Sequence, residues 1–275
     1  YLGFIFESIL NNEKAIFHYK QAKRHGSVFE DLNFRYGMLL YNQNYLKEAV
    51  NPLKDYLIKN KDEINVLNVL GDIFYSEMRY GEAIDIYTKL LIYDSENILY
   101  KNRLAYSFYE LKAYDDAIIL YADILDYYPD DTKIMARLGE TYVRLENYKK
   151  AIDYYNQVLE CDGEDQDILY QLALSYIETG QFLQSLIAFK RVSYLTNNPI
   201  IKYQIGVTYV ELGLYNEALK YFINYNLNDS DSIFMAGLCY YELENYNQAI
   251  TWFDKYLELN NVNTEIDYYK GLSYF

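Results

Sequence analysis

The side chains with the most evident binding chemistry are cations gathered near the middle of the chain: Arg103, Lys133, Arg137 and Arg144, with the amide of Asn102 beside them. The chain as a whole carries a net charge of −15, so a group of cations is unexpected in it. Arginine binds a carboxylate through two parallel hydrogen bonds. We therefore interpret the group as a candidate contact for acidic groups of a partner. The alternative is a solvated face with internal ion pairs, in which Glu140 pairs with Arg137 or Arg144.

A second candidate set is a row of aromatic rings towards the C-terminus: Tyr170, Tyr203, Phe234 and Tyr268, with Tyr241 beside it. Aliphatic residues at fixed offsets, such as Leu174 and Val207, extend the row into an apolar ribbon. Large exposed apolar surfaces mark interaction sites, and a regular row of rings fits an amphipathic helix or an extended peptide. Two alternatives stay open. The rings pack between neighbouring helices, or the ribbon is covered by C-terminal residues or by a second copy of the chain.

An internal repeat positions these residues. One column of the repeat holds small residues at spacings of 34, repeated five times, and then 33 and 31: Ala15, Ala49, Ala83, Ala117, Ala151, Ser185, Ala218 and Ala249. A second column lies twelve residues before it and contains only Gly or Ala: Gly3, Gly37, Gly71, Ala105, Gly139, Ala173, Gly206 and Gly237. A period of this length is typical of helical-repeat proteins.

Each repeat is predicted to be a pair of helices. Leu138, Gly139 and Tyr142 recur at helical spacing on the first helix, and Ala151 and Tyr155 do so on the second. The small residues let two helix backbones approach closely, and the large rings fill the space on either side. Helix caps are predicted between repeats, at Asp94–Ser95, at Asp130–Asp131, and at Asn198 ahead of Pro199.

The pattern resembles the tetratricopeptide repeat family, most directly at Leu70–Gly71, Leu138–Gly139 and Ala249-x-x-x-Phe253. The resemblance implies an all-α, right-handed superhelix of about eight helix-turn-helix units plus a partial ninth, as one array over residues 1–275. It implies units near 1–29, 30–63, 64–97, 98–131, 132–165, 166–198, 199–229, 230–263 and 264–275. The usual Trp of the first helix is absent, and Lys101 stands there in one repeat.

The family resemblance also implies that the first helices line a concave groove. On a helical wheel, the exposed stripe of these helices contains the residues six and three before the Gly column and one and four after it. The known carboxylate clamp of the family fits poorly: Lys133 and Arg137 match it, whereas Arg103, Asn68 and Asp72 do not. We therefore reject the clamp and keep a general site for an acidic segment.

Two irregularities interrupt the repeat. Pro52 is expected inside a second helix, where proline removes a backbone hydrogen bond and favours a bend. Three residues are missing from the repeat that contains Ala218. The loss falls in the segment around Tyr225 to Ser232, where it is expected to shorten a second helix or its loop.

Composition argues against several classes of function. The net charge of −15 disfavours binding to nucleic-acid backbones, which needs lysine and arginine. No apolar run is long enough to cross a bilayer. We expect no catalytic constellation, cofactor or metal site, because His18 and His25 fit packing or surface roles and the Asp162–Asp167 segment fits helix capping.

Two cysteines without a disulfide pattern favour the cytoplasm. A start at Tyr1 and an end within the repeat at Phe275 suggest an excerpt whose leader is unknown.

The sequence therefore predicts a non-catalytic scaffold that binds a peptide or helical segment of a partner protein in its groove. Self-association through the C-terminal apolar ribbon is a further expectation. The alternative is that the array is the sensing or targeting arm of a larger regulator or enzyme. An RNA-binding helical repeat is a third class, but it would require a groove that is basic from end to end.

Overall fold

The computed structural model describes residues 1–27, 29, 31–225, 229–259, 269–270 and 272–273. Within these residues all regular secondary structure is α-helical. The chain divides into two compact units, Tyr1–Pro129 and Asp130–Phe275, which we call the N-terminal unit and the C-terminal unit. The predicted all-α fold made of paired helices is confirmed.

The N-terminal unit contains four helix pairs: α1 (Leu2–Ser8) and α2 (Asn12–Arg24), α3 (Leu32–Asn42) and α4 (Leu46–Leu57), α5 (Ile64–Ser76) and α6 (Tyr80–Tyr93), α7 (Ile98–Glu110) and α8 (Tyr114–Tyr127). Odd-numbered helices are the first helices of their repeats, and even-numbered helices are the second. Within this unit each first helix packs against its own second helix, and each later first helix also packs against the second helix before it.

The C-terminal unit repeats the arrangement: α9 (Thr132–Arg144) and α10 (Tyr148–Asp162), α11 (Gln166–Glu178) and α12 (Phe182–Leu195), α13 (Pro199–Glu211) and α14 (Tyr215–Tyr225), α15 (Ser230–Glu242) and α16 (Tyr246–Leu259). Helix α14 has 11 residues, whereas α12 and α16 have 14 each. The described part of α14 ends at Tyr225, so the segment in which the three-residue loss was predicted, around Tyr225 to Ser232, lies partly outside the described residues.

The contact between the two helices of a repeat explains the Gly column. A Cβ atom added to Gly139 would lie 2.5 Å from the ring of Tyr155, and one added to Gly206 would lie 2.7 Å from the ring of Phe222. Carbon atoms normally pack at 3.5–4.0 Å, so no side chain fits there without displacing the ring. Both rings are fully buried. The small residue and the aromatic residue thus form one interlocking contact that recurs in successive repeats.

Lys101 shows how a charged residue is accommodated where the family has Trp. Its side chain is buried, and its Nζ lies 3.2 Å from a carboxylate oxygen of Glu96 and 2.5 Å from one of Asp123. The same Nζ lies 5.1 Å from the centre of the Tyr127 ring. A buried charge needs partners of this kind to offset its desolvation, so the ammonium group links α7 to α8 within the repeat.

The turn inside each repeat has a left-handed residue that the sequence did not reveal. These residues have φ between 57° and 72°: Leu10, Asn44, Met78, Lys112, Glu146, Gly180, Gly213 and Glu244. The backbone N–H of Met78 donates to the Tyr75 carbonyl and that of Arg79 to the Phe74 carbonyl, which closes the end of α5. Only two of the eight are glycine, although a left-handed conformation favours glycine.

The predicted caps are confirmed at Asp131, which accepts hydrogen bonds from the N–H groups of Lys133 and Ile134, and at Asn198 ahead of Pro199. The cap expected at Asp94–Ser95 is wrong. Asn97 caps α7 instead. Its side-chain oxygen accepts a hydrogen bond from the backbone N–H of Tyr100, and its side-chain amide donates one to the Asp94 carboxylate. Pro52 lies inside α4, as predicted.

Candidate functional site

Arg103, the first of the predicted cations, already has interaction partners within the N-terminal unit. Its guanidinium forms an ion pair with Asp72 and donates a 2.8 Å hydrogen bond to the hydroxyl of Tyr87. The guanidinium carbon lies 5.5 Å from the centre of the Tyr75 ring. Burial lowers the pKa of Arg103 from its usual value. Asp72 is therefore the partner of this arginine. Its negative charge is the feature that does not fit the carboxylate clamp of the family.

The Asp72–Arg103 pair lies at a cleft of about 520 Å³ in the N-terminal unit. The cleft is lined by residues of α3, the turn after α3, the first residue of α4, α5 and α7: Tyr41, Asn42, Asn44, Leu46, Asp72, Tyr75, Ser76 and Arg103. The hydroxyl of Tyr41 donates to the Asp72 carboxylate over 3.5 Å. Asp72 and Tyr75 occupy the positions one and four after Gly71, so the predicted stripe of the first helices does line an open surface.

A row of tyrosine rings continues from this cleft, and we call it the tyrosine strip: Tyr75, Tyr80, Tyr106, Tyr109 and Tyr114. The ring centroids of Tyr75 and Tyr106 lie 5.7 Å apart, those of Tyr106 and Tyr109 lie 6.2 Å apart, and those of Tyr109 and Tyr114 lie 5.6 Å apart. Each of these five residues is half-buried. The strip joins the ends of α5 and α7 to the first residues of α6 and α8.

The remaining predicted cations lie on α9 of the C-terminal unit, whereas Asn102 and Arg103 lie on α7 of the N-terminal unit. Lys133 and Arg144 are exposed. Nη1 of Arg137 lies 3.8 Å from a carboxylate oxygen of Glu140. The ion pair that formed the alternative interpretation is therefore present, and it uses one of the three cations on this helix.

The predicted row of rings in the C-terminal unit is half-buried against the core. The centroid of the Tyr170 ring lies 5.9 Å from that of Phe189, and Tyr203 stands 5.8 Å from Phe222. Phe234 repeats the arrangement at 6.2 Å from Phe253. Each ring therefore packs at the rim of the contact between the helices of its own repeat, with part of its surface still accessible.

The last members of the row have different surroundings. The Tyr241 ring lies 5.8 Å from that of Tyr246 and 5.6 Å from that of Tyr269. Tyr269 also packs 6.5 Å from Phe234, so these rings form one cluster at the end of the described chain. Tyr268 lies outside the described residues.

Tyr203 also lines a smaller cleft of about 260 Å³, together with Pro199, Ile200, Tyr221, Asp229, Asp231 and Ser232. Burial raises the pKa of Tyr203, and the carboxylates of Asp231 and Asp229 raise it further. The Asp229 carboxylate caps α15 by accepting from the N–H and the hydroxyl of Ser232. The mouth of this cleft is therefore acidic, unlike the basic site expected near the middle of the chain.

The other chemical expectations concern histidine and acidic residues. His18 stacks on Phe6 with ring centroids 5.2 Å apart, which is the packing role expected for it. Asp165 in the Asp162–Asp167 segment caps α11 through the N–H groups of Asp167 and Ile168. Over the described part of the chain, no cluster of His, Cys, Asp and Glu is arranged to hold a metal ion. In the same part, no helix combines the length and apolar character that crossing a membrane requires.

Family comparison agrees with this architecture. Tetratricopeptide repeat models match residues 68–132 and 136–194, residues 108–162, and residues 201–224 and 230–263. Together these matches cover more than half of the chain, and the protein belongs to the tetratricopeptide repeat family. Proteins of this family are generally non-catalytic scaffolds for protein–protein interaction. A comparison with curated proteins gave no match.

Solved structures show the same fold at low identity. YrrB, described as a TPR protein with an unusual peptide-binding site, is 22% identical and has a TM-score of 0.59, covering 67% of this chain and 97% of its own. A TPR repeat-containing protein from Cytophaga hutchinsonii is 15% identical with a TM-score of 0.67, covering 86% and 98%. The structure of Naa15/Naa10 bound to HypK-THB is 14% identical with a TM-score of 0.59, covering 89% and 39%.

Proposed function

We propose that this protein is a non-catalytic scaffold that binds an extended peptide of a partner protein across the first helices of its N-terminal unit. The peptide lies over the tyrosine strip and reaches the Asp72–Arg103 cleft. The observation that carries the proposal is the row of five half-exposed tyrosine rings beside an open cleft of about 520 Å³. A soluble surface rarely exposes so many rings together without an interaction to cover them.

Tyrosine suits this role for physical reasons. Its ring offers a large contact area with few rotatable bonds, so little conformational entropy is lost on binding, and its hydroxyl adds a hydrogen bond at the edge. Because the rings of the strip already contact one another at 5.6–6.2 Å, they are ordered before a partner arrives. Pre-ordered contacts lower the entropic cost of association.

The Asp72–Arg103 pair supplies the polar part of the site. The pair presents both an acceptor and donors, which match the N–H and C=O groups of a peptide backbone. Side-chain exposures of 39% for Asp72 and 26% for Arg103 leave both groups within reach of a ligand. A partner carboxylate would have to compete with Asp72 for Arg103, so we propose that main-chain and amide groups are recognised here in preference to acidic ones.

We propose separately that the C-terminal unit has partner contacts of its own. The accessible edges of Tyr170, Tyr203 and Phe234 add apolar area, with Tyr241 at the end of the row. Lys133, Arg137 and Arg144 on α9 are the contacts for acidic groups. Two proteins of similar fold, YrrB with its peptide-binding site and Naa15/Naa10 bound to HypK-THB, support a partner-binding array, including one that forms part of a larger assembly.

The test starts with a peptide selected from a random displayed library on the full chain, measured by fluorescence anisotropy. Replacing Tyr106 and Tyr109 together by Ala should weaken binding by roughly 30- to 1,000-fold, since each ring removed from an interface costs about 1–2 kcal/mol and the two together about 2–4 kcal/mol. Tyr109→Phe should retain most of the affinity, because the ring is kept.

Tyr194→Ala is the matched control, because Tyr194 is 86% exposed on α12, a second helix, and it should bind normally. Unchanged affinity in the Tyr106 and Tyr109 variant would refute the proposal. A steep loss of binding with salt, together with capture of single-stranded RNA, would favour the nucleic-acid class instead.

A further inference from the structure

A second cleft lies among the other helices of the N-terminal unit, between α4 and α6 and over α5. Its volume is about 690 Å³. Leu67, Leu70 and Phe74 of α5 form an apolar floor, and Leu57 and Ile86 form the lower walls. This cleft uses none of the residues of the tyrosine strip, so it is a separate surface.

The course of the chain explains why the cleft is open. Pro52 lies inside α4, and this helix ends at Leu57 after 12 residues, whereas α6 beside it runs for 14 residues to Tyr93. The connection from α4 to α5 spans residues 58–63, compared with only 94–97 between α6 and α7. Helix α4 is therefore two residues shorter than α6, and Ile58, Lys61 and Asp62 of the connection that follows it line the cleft.

The rim of the cleft is rich in lysine, although the protein as a whole is acidic. Three lysines line it, Lys54, Lys61 and Lys89; all three are exposed, and none forms an ion pair with another described residue. Lys54 instead places its Nζ 5.0 Å from the centre of the Phe74 ring. A net charge of −15 makes three unpaired cations around one opening unusual.

Most acidic residues of the rim already have partners. The Glu82 carboxylate pairs with Arg79, and the Asp62 carboxylate accepts a 2.6 Å hydrogen bond from the Tyr93 hydroxyl. Asp85 is the other carboxylate that lines the cleft. With the charge of Glu82 offset by Arg79, the three lysines face the carboxylates of Asp62 and Asp85, which leaves a small positive excess of one charge around the cleft.

One end of the cleft is also apolar at the surface. Ile58 and Ile92 are 70% and 78% exposed, and Tyr93 is 47% exposed. An apolar floor with exposed aliphatic residues at the end and cations along the edges is complementary to an amphipathic helix with acidic flanks. A helix places apolar residues at i, i+3, i+4 and i+7 on one side, and it fits between two helices of a partner.

We propose that the α4–α6 cleft docks an acidic amphipathic helix of a partner protein. The apolar stripe of that helix covers Leu57, Ile86 and Ile92, and its Asp or Glu residues pair with Lys54, Lys61 and Lys89. This surface lies between two second helices and over the first helix α5, and its partner chemistry differs from that of the extended peptide at the tyrosine strip. The protein thereby has two docking surfaces in one compact unit.

The probe is a labelled synthetic helix of about five turns with leucine on one side and glutamate on the other, measured by fluorescence anisotropy with the full chain. A second probe has lysine in place of each glutamate. The acidic probe should bind at least tenfold more tightly than the basic one, and added salt should narrow the difference.

Matched variants locate the contact. Lys54→Glu combined with Lys89→Glu should weaken binding of the acidic probe at least tenfold, and Ile92→Ser should weaken it severalfold without affecting folding, because Ile92 is exposed. The control carries the same change of charge at Lys20 and Lys112, two exposed lysines outside the cleft, and should bind as the parent chain does. The Tyr106 and Tyr109 variant should also bind normally, which separates this inference from the proposed function.

Three outcomes would overturn the inference. The first is equal binding of the acidic and basic probes. The second is a cleft variant that binds as well as the control variant. The third is that dodecanoate binds in the cleft whereas the acidic helix does not bind there, which would assign the cleft to a fatty acid.

Discussion

Replacing Gly139 by Ala should destabilise the C-terminal unit, although the same replacement usually strengthens a helix. The added Cβ would lie 2.5 Å from Cε1 of Tyr155 and 2.8 Å from its Cδ1. The usual separation is 3.5–4.0 Å, so the ring would have to move by about 1 Å. Tyr155 is fully buried and has no open space to enter.

The magnitude follows from two opposing effects. Overpacking a filled core costs about 1–3 kcal/mol, whereas Gly→Ala gains about 0.4–1 kcal/mol by restricting the unfolded chain. We expect a net loss of about 1–2 kcal/mol. Gly81→Ala is the control, because no atom lies within 4 Å of its added Cβ, and it should stabilise by about 0.5 kcal/mol. Gly71→Ala should fall between them, since its nearest ring atoms lie at 3.1 Å.

Urea and thermal unfolding followed by circular dichroism measure these effects. A change of 1 kcal/mol shifts the midpoint temperature by roughly 2–4 °C in a domain of this size, so Gly139→Ala should melt several degrees lower and Gly81→Ala slightly higher. A Gly139→Ala protein as stable as the parent chain would refute the reasoning that the Gly column is set by ring contact.

Three further predictions concern single residues. Ser185→Ala should stabilise by about 1 kcal/mol in urea unfolding, because among the described residues its buried Oγ has no hydrogen-bond partner; a loss of stability would contradict this. Met78→Gly should raise the urea midpoint by an amount equivalent to about 0.5–1 kcal/mol, since Met78 has φ of 58°; an unchanged or lower midpoint would argue against strain at this turn. Burial raises the pKa of the Cys239 thiol to about 12, so a thiol reagent at pH 8 should modify exposed Cys161 rapidly and Cys239 only after unfolding; equal rates in the folded protein would be inconsistent with a buried Cys239.

The helix pairs were predictable because their cause is local and periodic. Gly139 and Tyr155 stand 16 residues apart, and the same offset joins Gly206 to Phe222, so a contact in one repeat implies it in the others. The left-handed turn residues were not predictable in the same way. Met78 and Lys112 occupy that position without the glycine that would have indicated it, since the backbone hydrogen bonds that close the helix hold them there.

The candidate site was predictable in position but not in its internal contacts. The stripe calculated for the first helices contains Asp72, Tyr75 and Tyr109, and these residues do lie at the open surface of the N-terminal unit. Pairing of Asp72 with Arg103 joins two different helices, α5 and α7, and no spacing along the chain reveals it. The ring of Tyr80 lies 5.9 Å from that of Tyr106 in the next repeat, and this contact between repeats is likewise not indicated by spacing along the chain.

The row of C-terminal rings shows the opposite case. A helical wheel places Tyr170 and Tyr203 opposite the buried stripe, which predicts exposure. The ring of Phe189 or Phe222 is long enough to reach around the small residue and meet them, so they become half-buried. A helical wheel shows only the direction in which each side chain leaves its own helix. It does not show how far a ring on the neighbouring helix extends.

Hydrogen–deuterium exchange of the full chain, with and without the library-selected peptide, tests the central claim most directly. If the partner peptide lies on the tyrosine strip, exchange should slow in the segments that contain the end of α5 and α7, residues 72–80 and 103–114. Slower exchange confined to the C-terminal unit, with these two segments unchanged, would contradict the account.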